Sequence, residues 1–198
     1  MKCKNLISIL LAAVSMFSGC SNKERITWQE LNNDKKPSRL IDINERISHV
    51  RLDDELFFEN WKSAKKTIED GYGDCEDIAF LGAYLAEKYF QYPPLLLILA
   101  GNPNNSGHAV ALLKKEEKGG IKYGAIENSF IIFPEKDSID KIVNTINQNP
   151  ERRYKFTKYA VIPLNSVKAD WRTGDSNLYG RFWPSLKNCV WIPLRENK

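Results

Sequence analysis

The sequence predicts an α+β domain, and three observations carry that prediction. Helix-period apolar spacing up to Asp70 comes first, a nearly all-apolar helix from Asp74 follows, and short continuous apolar runs separated by turn residues make up the rest. Asp53-Asp54 followed by Phe57, Trp61, Ala64 and Ile68 predict an amphipathic helix that runs to Gly71. Ile78, Ala79, Leu81, Leu85 and Tyr89, with small Gly82, Ala83 and Ala86 between them, place the next helix in the middle of the domain, and Pro93-Pro94 closes it off. Leu95 to Ala100, His108 to Leu113 and Ile121 to Ile126 read as strands. The turn Glu116-Glu117-Lys118-Gly119-Gly120 makes the last two a hairpin with His108 near its open end. Ser138 to Asn147 reads as a helix, and Tyr159 to Leu164 and Cys189 to Ile192 as further strands. Trp171, Trp183 and Trp191 suggest a packed C-terminal segment.

Ahead of this body stands Met1-Lys2-Cys3-Lys4, an apolar run from Leu6 to Phe17, and then Ser18-Gly19-Cys20. That is the layout of a bacterial export signal. The run falls short of the roughly 20 apolar residues of a membrane span. Cysteine directly after Ser-Gly predicts a lipoprotein signal peptide over residues 1–19, with Cys20 lipidated, although Phe17 stands where leucine is more usual. Residues 20–37 are polar and read as a tether with a short helix around Trp28 to Leu31, and residues 38–198 form one domain. The expected location is the bacterial cell envelope, with the chain held to a membrane through its N-terminal lipid.

The formal charge of +4 falls to +2 without Lys2 and Lys4, and no basic stripe interleaves with aromatics, so a nucleic-acid partner is not expected. Of the four cysteines, Cys75 and Cys189 remain in the folded body. Two cysteines are no disulfide framework, and none has CxxC metal spacing.

Gly71-Tyr72-Gly73-Asp74-Cys75 brings a thiol to the first turn of a helix, where unpaired N–H groups and the helix dipole favour thiolate. Gly107-His108 follows, in the cysteine-then-histidine order of papain-like enzymes. Nucleophilic catalysis also needs a group that orients the histidine, and Glu127-Asn128 lies on the paired strand. An even hairpin loop puts Glu127 opposite His108 and an odd loop puts Asn128 there. Spacing leaves both open. Asp74, Glu76 and Asp77 oppose thiolate formation by their charge. They read first as cap and first-turn acids and second as carboxylates suited to calcium. Trp61 and Tyr72 are candidates to line a substrate cleft, beside their readings as core and turn aromatics.

Trp61-Lys62-Ser63-Ala64, Gly71 to Ala79, Gly107-His108-Ala109-Val110 and Ile126-Glu127-Asn128-Ser129 together resemble the bacterial transglutaminase-like cysteine proteinases, within the transglutaminase/papain-like superfamily. The resemblance covers roughly Leu56 to Phe130, and Gly-Asp-Cys-Glu-Asp is its most specific part. It implies a Cys-His-Asp triad on an α+β fold, with Cys75 as nucleophile and His108 as general base. Glu127 stands where the family has aspartate, so the orienting residue is Glu127 or Asn128. No cofactor is required by this chemistry, while calcium dependence in some relatives adds to the second reading of the acids. The expected substrate is a protein or peptide. Acyl transfer to an amine and a non-catalytic binding module are the alternatives.

Overall fold

The computed structural model describes residues 26–34, 36–52, 61–101, 107–128, 130–150, 155–174 and 178–195. The predicted signal peptide, Cys20 and tether positions 20–25 and 35 lie outside them. Among the described residues no helix is long and apolar enough to cross a membrane.

Two short helices lead in, α1 (Trp28–Asn33) and α2 (Asp42–Ile47). Thr27 and Glu30 cap each other's backbone at the start of α1 in a reciprocal capping box. A two-residue strand β1 (Arg51–Leu52) then pairs in parallel with β2 (Tyr72–Gly73). Between them lies helix α3 (Ala64–Asp70).

Helix α3 is shorter than the apolar spacing predicted. Ser63 takes an extended conformation and its side chain accepts from the Lys66 N–H, so the helix begins at Ala64. Trp61 therefore lies before the helix, and positions 53–60 are outside the described residues. The spacing misleads because Trp61, Ala64 and Ile68 are all buried in one core although only two of them are helical.

Helix α4 (Cys75–Phe90) starts and ends close to expectation, with Asp74 as N-cap. It buries ten of its sixteen residues. Beyond it a six-stranded antiparallel sheet is ordered β6-β5-β4-β3-β7-β8. The strands are β3 (Leu95–Gly101), β4 (Gly107–Glu117), β5 (Gly120–Ile126), β6 (Ile131–Lys136), β7 (Phe156–Pro163) and β8 (Ile192–Pro193). Helix α5 (Ile139–Asn147) follows β6, and α6 (Tyr179–Asn188) precedes β8.

The sheet separates two cores because side chains alternate across it. Ala109, Ala111 and Ile126 pack with α4 on one face. Leu97, Leu99, Val110 and Leu112 pack with Ile142, Val143 and Ile146 of α5 on the other. Gly82 brings α4 close to the sheet, since a Cβ there would meet Ile126 Cγ2 at 3.0 Å.

Elements later in the chain also differ from the sequence expectation. Strand β6 was not expected, and its Pro134 is tolerated because β6 is an edge strand. Helix α6 was also not expected. The predicted strand over Cys189 to Ile192 contracts to Ile192–Pro193, because Cys189 is the cap that ends α6. Of the C-terminal tryptophans, Trp171 is fully buried whereas Trp191 is exposed.

Candidate active site

Helix α4 delivers Cys75 through a turn whose two glycines serve different needs. Gly71 takes φ 70° as the left-handed cap of α3. Gly73 leaves room for Asp77, since a Cβ at position 73 would meet the Asp77 Cβ at 2.7 Å. Asp74 accepts from the Asp77 N–H at 3.3 Å, which is the capping role.

Asp77 turns inward and is fully buried. Its Oδ1 accepts the Lys62 backbone N–H at 2.7 Å, and its Oδ2 lies 3.5 Å from the Lys62 ammonium. That ammonium also sits 3.8 Å from the Tyr72 ring centroid. Lys62, which the sequence marked only as part of the Trp61 block, thus ties the segment before α3 to the start of α4. Burial and the Asp74 charge push the Asp77 carboxyl up to about 8, against the pull of Lys62.

Among the described residues no group of three or more acidic, histidine or cysteine side chains is placed to hold a metal ion. Asp74 is used as a cap, Asp77 is spent on Lys62, and Glu76 faces the thiol. In this arrangement the three carboxylates serve three different contacts, and the chemistry below uses no cation.

The Cys75 thiol is half-buried and donates to Glu76 Oε2 at 2.9 Å. Burial, and after it the Glu76 charge, hold this thiol well above its ordinary pKa. The Ala109 backbone N–H hydrogen-bonds the sulfur and pulls the other way. Burial and Asp74 in turn raise Glu76 to about 7. The resting state is therefore a neutral thiol. The helix-start contribution is outweighed by desolvation and by the neighbouring carboxylate. Cys75 and Cys189 are both free thiols.

On β4, His108 is buried, and its Nε2 lies 2.8 Å from Glu127 Oε1. The hairpin register explains the choice of partner. Glu117 pairs with Gly120 and Ala111 with Ile126, which leaves the two-residue turn Lys118-Gly119. The register is one step beyond the even alternative and keeps its parity. Glu127 thus shares the His108 face and reaches it diagonally, one pair past the last rung of the ladder. A diagonal separation of about 7–8 Å suits a long side chain. The Glu127 N–H donates to the Phe130 carbonyl at 3.0 Å, in the connection from β5 to β6. Asn128 does not reach His108: its buried Oδ1 has no hydrogen-bond partner. The imidazole stacks on Phe156, with ring centroids 5.8 Å apart at 11°.

By alternation the His108 side chain leaves β4 on the Val110 face, whereas Cys75 packs in the core on the Ala109 face. A cleft of about 340 Å³ off the open end of β4 is lined by His108 and by Glu76 and Ala109, the two residues that hydrogen-bond the Cys75 sulfur. Glu76, Gly107, His108 and Ala109 form its reactive end. Trp61, Ile98, Tyr179, Leu186 and Trp191 wall the remainder, with Lys187 beside them. Trp61 is at once core and cleft wall, and its ring lies 5.5 Å from that of Tyr179, edge to face at 66°. Tyr72 does not line this cleft; it lies against Lys62. The α6 residues of the wall carried no signal in sequence, because they come from about a hundred positions beyond the thiol.

No protein-family model matches the chain, and no curated protein matches it. Solved structures of Legionella pneumophila LapG are similar to it. The calcium-bound form has 20% identity and a TM-score of 0.42, covering 75% of this chain and 77% of that one. The EGTA-treated form gives 20%, 0.42, 75% and 76% in the same order, and a third structure of LapG gives 21%, 0.41, 74% and 73%. Similarity at that level carries no argument about activity, and the site's chemistry rests on its own residues.

Proposed function

We propose that this chain is a cysteine hydrolase of peptide or isopeptide bonds, anchored in the bacterial envelope through a lipid on Cys20. The observation that carries the reading is the buried His108–Glu127 pair beside a cleft that His108 lines together with Glu76 and Ala109, the residues that hydrogen-bond the Cys75 thiol at the start of α4. The resemblance of the Gly-Asp-Cys-Glu-Asp block to transglutaminase-like cysteine proteinases supports it.

Glu127 accepts from the Nε2–H and leaves Nδ1 as the basic nitrogen. As the sulfur attacks the substrate carbonyl carbon, the imidazole takes the thiol proton. The tetrahedral intermediate places its oxyanion at the start of α4, where the Cys75 backbone N–H is a donor. Collapse breaks the C–N bond, and the imidazolium protonates the departing amine. Water then loses a proton to His108 and cleaves the thioester, which restores the thiol.

The test is turnover of a protein-derived peptide pool by the purified chain. Cys75→Ala and His108→Ala each abolish it on this reading, and undiminished turnover by either variant overturns it. A labelled amine added to the same reaction reports whether an amine replaces water. Cys20→Ser moves the protein out of the membrane fraction if the lipid anchors it; retention there overturns the anchor.

A further inference from the structure

We infer that the cleft beside His108 is a subsite for one bulky apolar side chain, aromatic or branched, next to the scissile bond. This rests on the hydrolase reading and adds the substrate class to it.

The cleft has two ends of different chemistry. Its reactive end carries Glu76, His108 and Ala109, the groups that touch the thiol or the base. The remaining wall is apolar: Trp61, Ile98, Tyr179, Leu186 and Trp191. At about 340 Å³ the space is within the range of ligand sites and admits a whole large side chain with its flanking backbone.

Three rings stand in this wall, and the Trp61–Tyr179 pair is held by the core behind it. Trp61 also packs on Phe80 and Phe182, with centroids 5.8 and 5.6 Å away. Trp61, buried behind Tyr179, therefore holds the wall still, and a ring or branched chain bound against that wall loses little entropy on binding. Trp191 closes the other side from the C-terminal segment, where it is 37% exposed. A fixed floor and an exposed aromatic rim leave an unfilled space that a bulky apolar side chain occupies. A charged side chain there gives up its hydration among rings, with Lys187 the one lysine or arginine among the described lining residues.

The experiment uses the full chain and a peptide library varied one position at a time on both sides of the cleaved bond. One position is expected to favour Phe, Leu or Ile over Gly and Asp by at least about tenfold in kcat/KM, mostly through KM. Trp191→Ala narrows that ratio, and Trp191→Glu narrows it further, each with an unchanged circular dichroism spectrum. Cys75-dependent cleavage with no apolar preference at any position overturns the subsite alone. Preference that survives both Trp191 variants also overturns it. If no peptide is cut and Cys75 resists a thiol-directed probe, the hydrolase reading fails and the subsite falls with it.

Discussion

His108 and Glu127 meet through a 2.8 Å Nε2–Oε1 contact although they are not opposite one another in the β4–β5 ladder. The glutamate has left the ladder and reaches back across the diagonal to a buried imidazole. This geometry makes both the length and the charge of residue 127 matter.

Glu127→Gln preserves length and removes charge, and Glu127→Asp preserves charge and removes length. Each is expected to lower kcat by about 10²- to 10⁴-fold while leaving KM within a few fold. Asn128→Ala, at a side chain that does not reach the ring, stays within a few fold of wild type. Steady-state kinetics on a cleaved peptide check all three. A large kcat loss in Asn128→Ala with none in Glu127→Gln would reverse the assignment.

Glu76 adds to burial in keeping the thiol neutral. Burial, and after it the Glu76 charge, raises the Cys75 pKa, so Glu76→Gln lowers the midpoint at which the thiol ionises. The pH dependence of iodoacetamide reaction, followed at the Cys75 peptide by mass spectrometry, reads that midpoint. An unchanged or higher midpoint would show that the 2.9 Å contact does not govern the thiol.

The buried Asp77 makes a prediction about stability. Its folded pKa of about 8 lies above the ordinary 3.8, so the folded state binds its proton more tightly than the unfolded one. That contribution is complete below about pH 4 and is lost as pH rises toward 8, at no more than about 1.4 kcal/mol per pH unit for one proton. Glu76, raised to about 7, adds in the same direction. Urea midpoints should therefore fall between pH 5 and pH 8 in wild type and fall less in Asp77→Asn, which keeps an oxygen for the Lys62 N–H. Equal slopes in the two proteins would contradict the shift.

Much of the site was legible because its parts are local. Gly71, Gly73, Asp74 and Cys75 are one turn and one cap, and both are written in adjacent residues. The α+β class followed from apolar periods that the structure retains in α4, β3, β4 and β5. The partner of His108 was not legible, since a two-residue turn and a longer one suit Lys118-Gly119-Gly120 equally well and register alone separates them. The start of α3 was misplaced because Trp61 is buried with the helix without belonging to it. Helix α6 has no helical signature in sequence because Pro184 and Gly180 interrupt any apolar period across Tyr179–Asn188. The inward turn of Asp77 depends on Lys62, fifteen positions earlier, and first-turn acids look alike in sequence whether they cap, bind or bury.

The central claim is that His108 takes the proton from an otherwise neutral Cys75. The most direct measurement is the rate at which a peptidyl electrophile labels Cys75 near neutral pH, read by mass spectrometry at that residue, in wild type and in His108→Ala. The account predicts a loss of at least about 100-fold in the variant. Equal labelling rates in the two proteins would contradict it.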